Sequence, residues 1–184
     1  MHAKSNYKIV IHGSEAEKTA IAEILAKAFE RGEGFKLNKS DVIKGRNIDV
    51  KETYDVVLLE DITNMALEMA KVASGSTFSI EGVIDTSESA GEYMNFKISY
   101  SHGKLEERSS FWYGYPNGGL EDMSYEEYCE EYGFKYDDED DYEVDYSEDD
   151  FEKMKKGWFI VETNKGNVMM ETVPLDHIRR IEVK

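Results

Sequence analysis

The 184-residue chain has one cysteine, Cys129, and two prolines, Pro116 and Pro174. A single thiol excludes an intrachain disulfide framework and any zinc site built from clustered cysteines. So little proline, with no low-complexity segment outside one acidic stretch, argues against a disordered chain. No apolar run approaches the roughly 18 residues of a membrane span, and the N-terminus lacks the apolar core of a secretory signal. The expectation is a soluble, cytoplasmic protein. Positive charge is also scarce: 22 Lys and Arg stand against 39 Asp and Glu, a net charge of −17. Without clustered bases to neutralise phosphates, direct nucleic-acid binding is disfavoured, and so is an anionic membrane surface.

What is present is concentrated. Between Glu121 and Glu152 lie 17 carboxylates and one base, Lys135, so almost the whole net charge sits in that stretch. Acidic runs are commonly just solvated. This one is interleaved with Tyr125, Tyr128, Tyr132, Phe134, Tyr136, Tyr142, Tyr146 and Phe151. Aromatic side chains anchor interfaces at low entropic cost, and closely spaced carboxylates present a line of negative charge like a nucleic-acid backbone. The expected binding residues are Glu126, Glu127, Glu130, Glu131, Tyr136, Asp137, Asp138, Glu139, Asp140, Asp141, Tyr142, Glu143, Asp145, Tyr146, Glu148, Asp149 and Asp150. Their field would steer toward a basic protein surface. Self-association is left open.

With 40% hydrophobic residues the chain supports one core of ordinary size. A single domain over residues 1–184 is expected, with an acidic, aromatic-rich insertion at 114–157. Tyr7, Ile9 and Ile11 alternate as a strand up to Gly13. Ser14 with Glu17 has the capping-box spacing, and Ile21, Ile24, Leu25, Ala28 and Phe29 share one helical face before Gly32. From Gly32 to Thr53 scattered turn residues predict a long loop with an extended piece near Ile48 and Val50. Tyr54 to Leu59 reads as a buried strand or as the first turns of a helix. Ile62, Met65, Ala66, Met69, Val72 and Ala73 then have helical spacing up to Gly75.

Three strands follow, around Phe78–Ile84, Met94–Tyr100 and Leu105–Tyr113, joined by Ser87–Glu92 and by a short hairpin turn at Ser101–Gly103. Tyr115-Pro116-Asn117-Gly118-Gly119 breaks the pattern. Ser124 and Glu127 form a second capping box, with Tyr125, Tyr128, Cys129 and Tyr132 on one face. Phe134 to Tyr146 reads as an extended edge. Ser147 caps a further helix whose acids lead and whose bases Lys153, Lys155 and Lys156 trail, as the helix dipole favours. Trp158–Glu162 and Asn167–Thr172 flank Asn164-Lys165-Gly166 as a hairpin, and Leu175–Val183 is extended. The fold class is α+β: a mainly antiparallel sheet, meander plus C-terminal hairpin, against two principal helices, with an acidic Tyr-rich insertion carrying short helices.

Catalytic patterns are missing. His12-Gly13-Ser14 lacks the glycines of a nucleophile elbow, and Ser14 is explained as a cap. Nothing in the spacing pairs Cys129 with His102 or His177. Gly32-Glu33-Gly34 sits at a helix end, where it makes no phosphate loop, so no cofactor is expected. Asp137 to Asp141 lacks the glycine and final Glu of a calcium loop, so no dedicated metal site is expected. The chain reads as a non-enzyme.

Tyr125-Glu126-Glu127-Tyr128-Cys129-Glu130-Glu131-Tyr132 followed by Asp137 to Asp150, on a small αβ body without catalytic residues, resembles the acidic inhibitors of phages and mobile elements, in particular type II anti-CRISPR proteins that act on Cas9. Ser87-Glu88-Ser89-Ala90-Gly91-Glu92-Tyr93-Met94 followed by Ser110-Phe111-Trp112-Tyr113 adds to the likeness. These families share no motif by which single residues carry over. The resemblance implies a bacterial host cytoplasm and a partner, Cas9, that reads its protospacer-adjacent motif with arginines and holds nucleic acid in a positive channel. Ordered carboxylates would occupy those arginines and exclude DNA. An immunity protein against a basic toxin nuclease, an unrecognised small hydrolase, and a domain with a merely solvated acidic loop are the other readings.

Overall fold

Ser5, Tyr7, Ile9 and Ile11 point inward from strand β1 (Lys4–His12) in the computed structural model, which describes residues 3–86, 92–113, 120–135, 142–143 and 146–184. Helix α1 (Glu15–Ala28) follows; its cap Ser14 accepts from the Glu17 N–H, and it buries Ile21, Ala22 and Leu25. The capping box is only half made. The Glu17 carboxylate accepts from the Ser14 hydroxyl at 3.3 Å and from the Gly75 N–H at 2.9 Å, so it ties the start of α1 to the end of another helix.

The stretch read as a long loop contains a short helix, α2 (Lys39–Ile43), capped by Asn38, whose side chain accepts from the Ser40 N–H. Only Val42 of α2 is buried, which is why no apolar periodicity announced it. Strand β2 (Ile48–Thr53) comes next. Tyr54–Leu58 is neither strand nor helix. Val56 and Val57 are buried there in the apolar core, and their carbonyls accept from buried hydroxyls, Tyr7 Oη at 3.1 Å and Ser5 Oγ at 2.6 Å. Those bonds replace the ladder partners that a strand would need. Helix α3 (Leu59–Val72) buries Ile62, Met65, Ala66 and Met69, whereas Val72, expected on that face, is exposed.

Strands β3 (Thr77–Asp85), β4 (Glu92–Ser101) and β5 (Lys104–Tyr113) form the meander. His102 and Gly103, both with positive φ, close the β4–β5 turn as a two-residue hairpin requires. Gly82 faces Tyr7 across the β1–β3 ladder, and a Cβ there would lie 2.1 Å from the Asn6 carbonyl oxygen, so the strands approach only because the side chain is absent. The connection at 87–91 and the turn at 114–119 lie outside the described residues.

Beyond β5 come α4 (Tyr125–Tyr132), the two-residue strands β6 (Phe134–Lys135) and β7 (Tyr142–Glu143), α5 (Glu148–Lys155), the hairpin of β8 (Phe159–Thr163) and β9 (Gly166–Met170), and β10 (His177–Glu182). The fold is therefore α+β, a mainly antiparallel sheet with a C-terminal hairpin and two prominent helices, and short helices in the Tyr-rich region. No helix among the described residues is long and apolar enough to cross a membrane.

The chain divides into two compact units, residues 1–111 with 174–184, and residues 112–173. In the first, strands run in the order β2-β1-β3-β4-β5, with β10 antiparallel on β5. Its core joins Ile9, Ile21, Leu25, Ile62, Met69, Ile80 and Ile98, each worth roughly 2 kcal/mol when fully buried. Glu107 is buried in this unit. Its carboxylate accepts from Thr63 Oγ1 at 2.5 Å and from Arg179 Nη2 at 2.7 Å, which fixes β10 in register opposite β5. In the second unit Trp112 and Tyr113 pair with β8, β8 pairs with β9, and a smaller core gathers Leu120, Tyr128, Phe151, Met154 and Ile160.

Candidate protein-binding face

Helix α4 starts on a complete capping box. Ser124 Oγ accepts from the Glu127 N–H at 3.2 Å, and the Glu127 carboxylate accepts from the Ser124 N–H at 2.7 Å. That backbone hydrogen bond, followed by the Ser124 side chain, holds the Glu127 carboxyl below its ordinary pKa. The aromatic face turns inward. Tyr128 is buried with its ring centroid 5.0 Å from that of Phe151, Tyr125 stacks 6.2 Å from Tyr128, and the Tyr125 hydroxyl donates to the Tyr146 carbonyl at 2.9 Å. Tyr132, one turn on, is exposed, while its ring stays 5.3 Å from Tyr128.

Helix α5 has only the side-chain half of this cap. Ser147 Oγ accepts from the Asp150 N–H, and Phe151 and Met154 are buried. Lys155 folds back over the Phe151 ring and donates to the Met123 carbonyl at 3.1 Å, tying the helix to the segment that precedes α4. Lys153 lies 3.9 Å from Asp150 and over the Trp158 ring. So two of the three bases that trail α5, Lys153 and Lys155, are turned to structure, and Lys156 is exposed.

The carboxylates divide accordingly. Glu126, Glu127, Glu130, Glu131, Glu148 and Asp149 are exposed; Asp150 is half-buried in its cap. Glu127 and Asp150 hold helix starts, and among the described residues Glu126, Glu130, Glu148 and Asp149 make no ion pair. Asp122, Met123, Glu127, Glu130 and Glu131 line an open recess of about 540 Å³ on the α4 side. Tyr146 lies half-buried against the aromatic core, and Tyr142 and Glu143 belong to the β6–β7 ladder. Tyr136, Asp137, Asp138, Glu139, Asp140, Asp141 and Asp145 lie outside the described residues. The structure thus brings the α4 and α5 members of the expected set into one unit.

Ser14 is occupied as a cap, and Cys129 is half-buried on α4. Ser110, Asp176 and His177, which sequence spacing did not bring together, meet in the first unit. Ser110 Oγ donates to Asp176 at 2.9 Å, and His177 Nε2 is 4.0 Å from the same carboxylate oxygen. The order is wrong for a nucleophile, since the imidazole must stand between hydroxyl and carboxylate, and Ser110 is fully buried. Among the described residues no three His, Cys, Asp or Glu side chains gather as a metal site.

Compared with protein-family models, curated proteins and solved structures, the chain matches none.

Proposed function

We propose that the chain is a non-enzymatic inhibitor that binds a cationic surface of a nucleic-acid-handling protein, Cas9 being the partner to which the sequence resemblance points. The observation that carries this reading is the division of labour on α4 and α5: aromatic rings and capping carboxylates hold the helices, while Glu126, Glu130, Glu148 and Asp149 face solvent without an ion pair among the described residues. Anionic groups fixed on short rigid helices pair with guanidinium groups without a large ordering cost at the moment of binding. A solvated acidic loop has no comparable need of two serine caps and a buried aromatic cluster.

The test is binding to purified Cas9, with and without guide RNA, and inhibition of DNA cleavage. Alongside the native chain, a variant carrying Glu126→Gln, Glu130→Gln, Glu148→Gln and Asp149→Asn is measured, with a second variant in which Asp137, Asp138, Asp140 and Asp141 are changed to Asn. Four exposed charge pairs at up to about 1 kcal/mol each amount to a loss of affinity of about tenfold to several hundredfold. Unchanged binding by both variants would remove the acidic surface from the interface. Failure of the native chain to bind Cas9, with tight binding to a basic toxin nuclease instead, would make it an immunity protein.

A further inference from the structure

Besides the two-residue strands β6 and β7, which pair with each other, three strands have only one described neighbour: β2, β10 and β9. Two of them are defended. Strand β2 carries Asp49, Lys51 and Glu52, and β10 carries His177, Arg179, Arg180 and Glu182. Charge along an edge is the common means of preventing another strand from adding to it. Strand β9 reads Gly166-Asn167-Val168-Met169-Met170 and has no charge at all. Among the described residues it pairs with β8 alone.

The surroundings of β9 suit an added strand. Met169 packs against the aromatic core on one face, while Val168, 41% exposed, stands on the other face opposite the fully buried Val161. Alternate side chains of an incoming strand would meet apolar surface on both faces. We propose that the outer edge of β9 takes an extended, lysine- or arginine-bearing segment of the partner protein as an additional antiparallel or parallel strand.

The occupant's charge follows from the unit that presents the edge. Residues 112–173 hold 19 carboxylates and five lysines, a net charge of −14, and Glu162 and Glu171 stand beside β9 itself. A second copy of the chain would bring two molecules of −17 together, whereas a basic segment is drawn in. This inference rests on the proposed function for the sign of the partner's charge, and it adds a backbone ladder that the helical carboxylates cannot supply.

The experiment uses the full chain and an alternating lysine-valine peptide, with two controls: the same peptide N-methylated at alternate residues, and an alternating glutamate-valine peptide. Amide hydrogen exchange is read at Asn167 to Met170. The lysine-valine peptide should slow exchange there by about tenfold or more, as a new ladder requires, and neither control should. Val168→Lys should weaken peptide binding about tenfold, because it places a charge on the edge, while Thr172→Lys, an equal change of charge off the strand, should weaken it less than about threefold. Equal losses in the two variants, or peptide binding without protection of β9, would overturn the inference and leave the carboxylate reading of Cas9 binding intact. Slow, concentration-dependent exchange at β9 in the chain alone would make the occupant a second copy and overturn it as well.

Discussion

At the scale of single residues, buried polar groups decide most of the expected outcomes. Glu107 depends on Thr63 and Arg179 for its hydrogen bonds, and Arg179 is itself partly exposed, so its pairing is partly screened. Thr63→Val, which keeps the volume and removes the donor, should cost about 1–3 kcal/mol in urea unfolding. Combined with Glu107→Leu the loss should be smaller than the sum, since the two side chains act as one unit. Ser76 gives the opposite sign. Its Oγ is buried without a hydrogen-bond partner among the described residues, so Ser76→Ala should leave stability unchanged or raise it by about 1 kcal/mol. Gly82→Ala should be the most damaging of these changes, because the new methyl meets backbone that cannot rotate away. The importance of Gly82 was not legible in sequence: it read as one member of an alternating strand, and only the cross-strand approach of Tyr7 gives the reason.

Helices, strands and loops were legible in proportion to how far local chemistry alone determines them. The apolar stripes of α1 and α3, the Ser124 and Ser147 caps and the β8–β9 hairpin could all be read from spacing. Helix α2 could not, because a five-residue helix with one buried side chain has no period to detect. Tyr54–Leu58 stayed ambiguous because what holds it, Ser5 and Tyr7, lies about 50 residues away in the chain. The same limit applied to the site. Spacing placed the carboxylates of α4 and α5 on helices and gave Glu127 its part in the cap, but it did not show that the Asp150 carboxylate would accept from the Ser147 hydroxyl. The α4 cap has a pH signature. Because hydrogen bonding holds the folded Glu127 carboxyl below its unfolded value of about 4.3, its contribution is complete above that value and is lost as pH falls through the lower folded one. Acid titration followed by amide exchange in α4 should show the first turn opening in that window. Glu127→Gln should abolish the pH dependence there while retaining most of the helix. At α5, Ser147→Ala should cost about 1 kcal/mol, read as local exchange within Glu148–Lys155.

At the scale of the whole molecule the distribution of charge matters more than its total. Nearly all of the −17 resides in residues 112–173, so the remaining unit is close to neutral and the molecule presents its field from one part of the chain. At physiological ionic strength the screening length is about 8 Å, so such a field steers a cationic partner only at close range and fades as salt is added. Contacts already formed would be screened far less, because a strand ladder on β9 excludes water. The two halves of a binding measurement should therefore separate. Between about 0.05 and 0.5 M salt the association rate with Cas9 should fall by about one to two orders of magnitude, while the dissociation rate should change by less than about threefold. Stopped-flow measurements across that range check both. A salt-independent association rate would mean that the carboxylates of α4 and α5 do not guide the encounter. If dissociation accelerated as steeply as association slowed, the complex would be held by exposed charge alone, with no part for the β9 edge.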